Sequence, residues 1–220
     1  MRKFILATLS AAALGLVSQA SFAADVEVDP VAYDWSGLYV GVTAGYGWGD
    51  VQMFDDGAGT SGKQDVEGFV AGGTLGYNYQ MDSFLIGVET DLSFSDIDGS
   101  WGDQPGWNCA NVCTGELDWF GTARLRLGLP MDSFLPYVTG GLAIGGLQSD
   151  MDVDTDFSLD ETEIGWTIGG GIEGAVSENL TLKAEVLYMD FGNTEDDGSA
   201  DDFNIDSDFV IGRVGLNFQF

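Results

Sequence analysis

Five carboxylates in the segment DMDVDTDFSLDE could bind a cation. Asp150, Asp152, Asp154, Asp156 and Glu161 stand at positions 1, 3, 5, 7 and 12 of a twelve-residue frame, the spacing at which an EF-hand loop gathers oxygen ligands for calcium. The sixth position is Thr155, where that loop needs glycine for its sharp turn, and both flanks read as strands. This stretch and EDDGSADD at 195–202 are therefore read as acidic loops that gather divalent cations loosely. No specific metal site is assigned. Cys109 and Cys113, in NCANVC, are the two cysteines. In an oxidising compartment they are expected to close a small disulfide loop worth about 2 kcal/mol on the chain-entropy model. The chain has no histidine, which removes Ser-His and Cys-His catalysis and histidine metal sites together. No catalytic residue and no organic cofactor are expected.

A second set of charged residues has a different spacing. Glu89, Asp91, Arg124, Arg126, Glu173, Lys183, Glu185 and Arg213 each sit within a stretch that alternates apolar and polar residues with period two. In SDFVIGRVGLNFQF, Val210, Val214, Leu216, Phe218 and Phe220 share one face and Arg213, Asn217 and Gln219 the other. The same division runs through FLIGVETDLSF, LDWFGTARLRLGL, TEIGWTIGGGIEGAV and LTLKAEVLYMDF. Glycine at 33 residues against 4 prolines speaks further against helices. Eight strands are counted.

The opening MRKFILATLSAAALGLVSQASFA has a basic start, an apolar run and small residues at a cleavage position, so residues 1–23 read as a signal peptide. Residues 24–34 are expected to form a periplasmic segment and 35–220 the barrel. Seven basic residues against 36 acidic ones give a formal charge of -29, which excludes nucleic acid as a partner.

Connections alternate in length. MDS at 81–83, MDS at 131–133 and SEN at 177–179 are tight, whereas 49–66, 95–116, 147–162 and 192–207 are long, acidic and polar. Short turns at one end and long loops at the other describe an up-and-down barrel of the outer-membrane type. The apolar faces carry no ionised side chain, and a charge near the bilayer midplane costs about 2–4 kcal/mol. Aromatics gather near strand ends, with Tyr77, Tyr79, Phe84, Phe134, Phe218 and Phe220 at one end and Trp48, Phe94, Trp119 and Tyr188 at the other. They are placed as two interfacial girdles. The charged face then lines a lumen. Strand adjacency links Glu89 and Asp91 to Arg124 and Arg126, with Glu173, Lys183, Glu185 and Arg213 on the other side. Eight strands leave an interior that side chains can fill. A narrow ion path is the alternative, with inward glycines such as Gly41, Gly45, Gly169 and Gly171 leaving room for water. Phe54, Trp101 and Trp107 are candidate contacts in the loops.

The stretches WSGLYVGVTAGYGWG, GTLGYNYQ, WFGTARLRLGL, LPYVTGGLAIGG and VGLNFQF together resemble the small porin-family outer-membrane β-barrel proteins of alphaproteobacteria, close in design to the membrane domain of outer-membrane protein A. The resemblance implies an all-β, eight-stranded antiparallel transmembrane barrel in the outer membrane with no catalytic motif. It implies a terminal signal, here Phe218 and Phe220, read by the barrel-assembly machinery. It also implies a role in envelope structure and surface interaction, the alternative being a narrow porin or a barrel that binds haem or a small solute. Outer-membrane lipid and lipopolysaccharide are the expected partners, the latter through divalent cations at the acidic loops.

Overall fold

A computed structural model describes residues 33–55, 59–60, 63–101, 113–153, 155–192 and 203–220. Residues 1–32, which include the expected signal peptide, and Cys109 lie outside this set, as do residues 195–202, Trp107 and Asp154. Eight long strands follow one another: β1 Gly37–Asp55, β2 Gln64–Met81, β3 Phe84–Trp101, β4 Cys113–Gly128, β5 Phe134–Val153, β6 Thr155–Ala175, β7 Leu180–Asp190 and β8 Phe203–Gln219. Each pairs antiparallel with the next, and β1 pairs with β8 from Tyr39 opposite Gln219 to Asp55 opposite Phe203. The sheet is thereby closed and the two edges that an open sheet would expose are paired. A two-residue strand, Gly59–Thr60, folds back on the tip of β1.

The repeated MDSF is one hairpin used twice. Met81 pairs with Phe84 and Met131 with Phe134, so Asp82 and Ser83, or Asp132 and Ser133, make the whole turn. Asp132 sits at φ 50°, a left-handed conformation that aspartate tolerates at turns.

The described residues of the connections expected to be long loops are largely strand. A transmembrane strand needs about 9–11 residues, yet β1 has 19, β5 has 20 and β6 has 21. The ladder simply continues beyond the apolar band. The stretch with the EF-hand-like spacing lies within these strands. Its backbone is a tight hairpin, with Met151 opposite Phe157, Asp152 opposite Asp156 and Val153 opposite Thr155. A chain paired to itself in this way cannot wrap a cation as a calcium loop does.

Alternation places the apolar residues outside. Val42, Phe69, Leu92, Phe94, Leu125, Ile164 and Val214 are all exposed, whereas Glu89, Asp91, Arg124 and Arg213 are buried. A soluble barrel has the opposite arrangement, so the surrounding medium is hydrocarbon.

Candidate functional site

Three layers fill the interior. The floor, at the short-turn end, is Trp35 with Leu85 and Leu135, packed against Tyr33 and Ala175. Trp35 belongs to a strap, Tyr33–Ser36, that precedes β1. The strap is tied down by Trp35 N donating to Gln80 Oε1 at 3.0 Å and by Gln219 Nε2 donating to the carbonyls of Asp34 and Ser36 at 2.9 and 2.8 Å. Tyr33 Oη also donates to Gln219 Oε1 at 3.1 Å. Tyr33 and Asp34, placed by the sequence in the periplasmic segment 24–34, are thus tied to the barrel through Gln219, with Tyr33 packed on the floor.

The middle layer contains the eight charged residues, four carboxylates and four cations, all buried. Its centre is Arg124. The guanidinium donates to Glu89, to Asp91 Oδ2 at 2.9 Å and to Glu185 Oε2 at 2.9 Å, and its Nε reaches Thr122 Oγ1 at 2.9 Å. Arg213 enters from β8 and bonds both oxygens of Asp91 at 3.1 Å and Glu185 Oε1 at 2.7 Å. Lys183 Nζ meets Glu89 Oε2 at 2.9 Å.

The pairing expected from strand adjacency is right for Glu89 and Arg124, which are ladder neighbours on β3 and β4. It is wrong for two cations. Arg126 pairs with Glu173 instead of Glu89 or Asp91, while Lys183, the ladder neighbour of Glu173, pairs across the lumen with Glu89. The reason is reach. In a barrel this narrow, long side chains cross the axis, so the nearest carboxylate need not be on an adjacent strand.

Two tyrosines that the sequence reading did not single out complete the layer. Tyr39 Oη donates to Glu89 Oε2 at 2.7 Å and Tyr137 Oη to Glu185 Oε2 at 3.0 Å, while the Tyr137 ring lies 3.7 Å from Arg126 Cζ. Glycines make room for them. A Cβ on Gly76 would lie 2.7 Å from Tyr39 Cε1, and one on Gly171 would lie 2.8 Å from Tyr137 Oη. The inward glycines hold space for side chains, as a filled interior needs, whereas the alternative of a narrow ion path had them leaving room for water. Gly41 faces Asn217 Oδ1, and a Cβ on Gly169 would lie 2.6 Å from Leu187 Cδ2.

Above the charges lies a third, apolar layer that the sequence reading missed, built from Phe120, Phe209, Phe191, Leu187, Met189, Ile211, Ile97, Leu117 and valines 51, 66 and 70. The signal was present: near the loop ends both strand faces become apolar, as in VLYMDF and DFVIG. Ile97 and Phe120 keep the inward alternation of Asp91 and Arg124, and a shift in register between Leu117 and Trp119 turns Leu117 inward beside them.

Outside the membrane, on the extended wall, carboxylates stand side by side. Asp50 is opposite both Asp65 and Asp208, and Asp208 is opposite Asp190. Lys63 sits 3.9 Å from Asp50 and 3.5 Å from Asp208. Burial raises the Asp50 pKa above the usual aspartate value; Lys63 opposes the rise and the neighbouring carboxylates Asp208 and Asp65 add to it.

Comparison with known proteins agrees with this architecture. Residues 9–210 match the family model described as "Outer membrane protein beta-barrel domain". The chain is 36% identical to the 31 kDa outer-membrane immunogenic protein of Brucella melitensis over the full length of both. It is 32% identical to the 22 kDa outer membrane protein of Rhizobium leguminosarum, covering 86% of this chain and 80% of that one. The crystal structure of the outer membrane protein OprG from Pseudomonas aeruginosa superposes with TM-score 0.50 at 15% identity, covering 84% of this chain and 97% of the other, a likeness of fold alone. A closed barrel with its apolar face outward and relatives that are outer-membrane proteins make this an outer-membrane protein, and the chain belongs to the outer membrane protein β-barrel domain family.

Proposed function

We propose that the protein is a non-enzymatic outer-membrane barrel whose lumen is a structural lock and whose extended rim is its surface of interaction. The observation that carries this reading is the layering. A charge network in which every cation meets a carboxylate lies between an apolar floor and an apolar upper layer. Ions crossing the lumen would have to displace all three, and stranding one member of a buried pair costs about 3–5 kcal/mol. The narrow porin and the haem or solute carrier are therefore less well supported. The relative named for its immunogenicity lends support to a rim that meets the exterior.

Contacts with outer-membrane lipid, cation-bridged contacts with lipopolysaccharide, a Cys109–Cys113 disulfide at a loop tip and recognition of Phe218 and Phe220 by the assembly machinery are parts of the same proposal. The test is single-channel recording on the refolded mature protein in a planar bilayer. A silent bilayer, with folding shown by heat-modifiable gel mobility, supports the lock. Reproducible conductance steps would overturn it in favour of a pore.

A further inference from the structure

The outer face of the barrel has a groove of about 1060 Å³ across β6, β7, β8, β1, β2 and β3, just above the roughly 300–1,000 Å³ typical of ligand sites. Its floor is made of small residues. Ala44 lies opposite Ala71 on one side and Val214 on the other, and Val214 opposite Ala184, so the dip is continuous across the ladder. Phe69 and Phe94, 70% and 73% exposed, form one bank. The groove lies within the apolar outer band, where hydrocarbon chains are the surrounding medium.

Its loop-side mouth has a different character. Glu67 is directly opposite Trp48 on β1 and Asp98 on β3. The Tyr46 hydroxyl hydrogen-bonds Glu67, the Tyr46 and Phe69 rings meet edge-on at 5.1 Å, and Asp96 lines the groove itself. Among the described residues no basic side chain is left over to neutralise these acids. Of the seven basic residues, four are sealed in the lumen, Arg2 and Lys3 precede the described residues, and Lys63 is engaged by Asp50 and Asp208. Aromatic rings beside carboxylates are the surroundings in which proteins hold ammonium groups.

We propose that this groove seats a membrane lipid with an ammonium headgroup, its acyl chain over Ala44, Ala71 and Ala184 and its head against Glu67, Asp98 and the rings of Tyr46 and Trp48. A hydrocarbon chain matches the floor and a positive head matches the mouth. An anionic head would meet like charge at the same place. A second outer groove of about 740 Å³, lined by Leu38, Leu75, Tyr77, Leu125 and Leu142, provides the contrast, because its only charged lining residues, Glu89 and Arg124, belong to the lumen.

The test is native mass spectrometry of the refolded mature protein in neutral detergent, offered phosphatidylethanolamine or phosphatidylglycerol of identical chains. The expected result is about fivefold to tenfold greater retention of phosphatidylethanolamine. Ala44→Phe, checked for folding by gel mobility, abolishes that retention, whereas Ala123→Phe in the second groove does not. Glu67→Gln, which leaves the apolar floor intact, narrows the preference between the two lipids. Equal retention of both lipids, or unchanged retention in Ala44→Phe, would overturn the proposal.

Discussion

Arg213 and Asp91, 122 residues apart in sequence, face each other across the barrel interior in a two-pronged pair, Nη1 to Oδ1 and Nη2 to Oδ2, each at 3.1 Å. Asp91 is shared. Its Oδ2 also accepts from Arg124 at 2.9 Å and from Thr122 Oγ1 at 2.6 Å, so one carboxylate joins β3, β4 and β8. The charges act as cross-braces between strands that touch only their immediate neighbours through the backbone.

Arg124→Ala removes the brace with the most partners and leaves Glu89, Asp91 and Glu185 sharing Arg213 and Lys183. The expected loss is about 3–5 kcal/mol. Urea titration of the protein refolded into lipid vesicles measures it, and a loss below about 1 kcal/mol would show that water screens the network.

Conductance requires two layers to be breached. Arg124→Ala alone is expected to stay silent in a planar bilayer, because Phe120 and Phe209 still close the upper lumen. Adding Phe120→Ala and Phe209→Ala is expected to produce channels. Channels from the single variant would place the whole seal in the charge layer.

Gly76→Ala puts a methyl group where the Tyr39 ring lies and displaces its hydroxyl from Glu89. Overpacking of this kind costs about 1–3 kcal/mol. Gly76→Ala combined with Tyr39→Leu should be less destabilised than additivity predicts, since the clash is removed, and a double-mutant cycle in urea reads the coupling.

Asp50 supplies a pH test. Its pKa is raised by burial, which means the folded state binds the proton more tightly than the unfolded chain does. Its contribution is therefore favourable below the ordinary aspartate value and is lost as pH rises through that value and the raised one. Asp50→Asn should stabilise the barrel at pH 7, with the difference from wild type shrinking as pH falls toward 4. Thermal unfolding across that range checks the sign; a difference that grows in acid would refute the assignment.

Period-two alternation made the barrel legible, because each strand has one hydrocarbon face and one polar face and a slip of one residue would invert both. It also identified Glu89, Asp91, Arg124, Arg126, Glu173, Lys183, Glu185 and Arg213 as inward. Their pairing was not legible. Whether Arg126 takes Glu89 or Glu173 depends on barrel diameter and on which inward positions are glycine, neither of which a single strand encodes. Tyr39 stands between the apolar Leu38 and Val40 and so on the polar face of its strand, but its bond to Glu89 requires the space over Gly76 on a neighbouring strand. The upper apolar layer was missed for a related reason: beyond the membrane the outer wall becomes polar and the lumen apolar, so the rule that identifies the spanning segments reverses partway along the same strand.

The strap at the barrel floor constrains the order of assembly. Tyr33, Asp34 and Ser36 are held by Gln219, the final residue of β8. Those bonds cannot form until β8 has arrived and paired with β1. An early-synthesised segment thus waits for the latest one, and protection of the strap from protease would report completed closure, separating finished barrels from sheets still open at the seam.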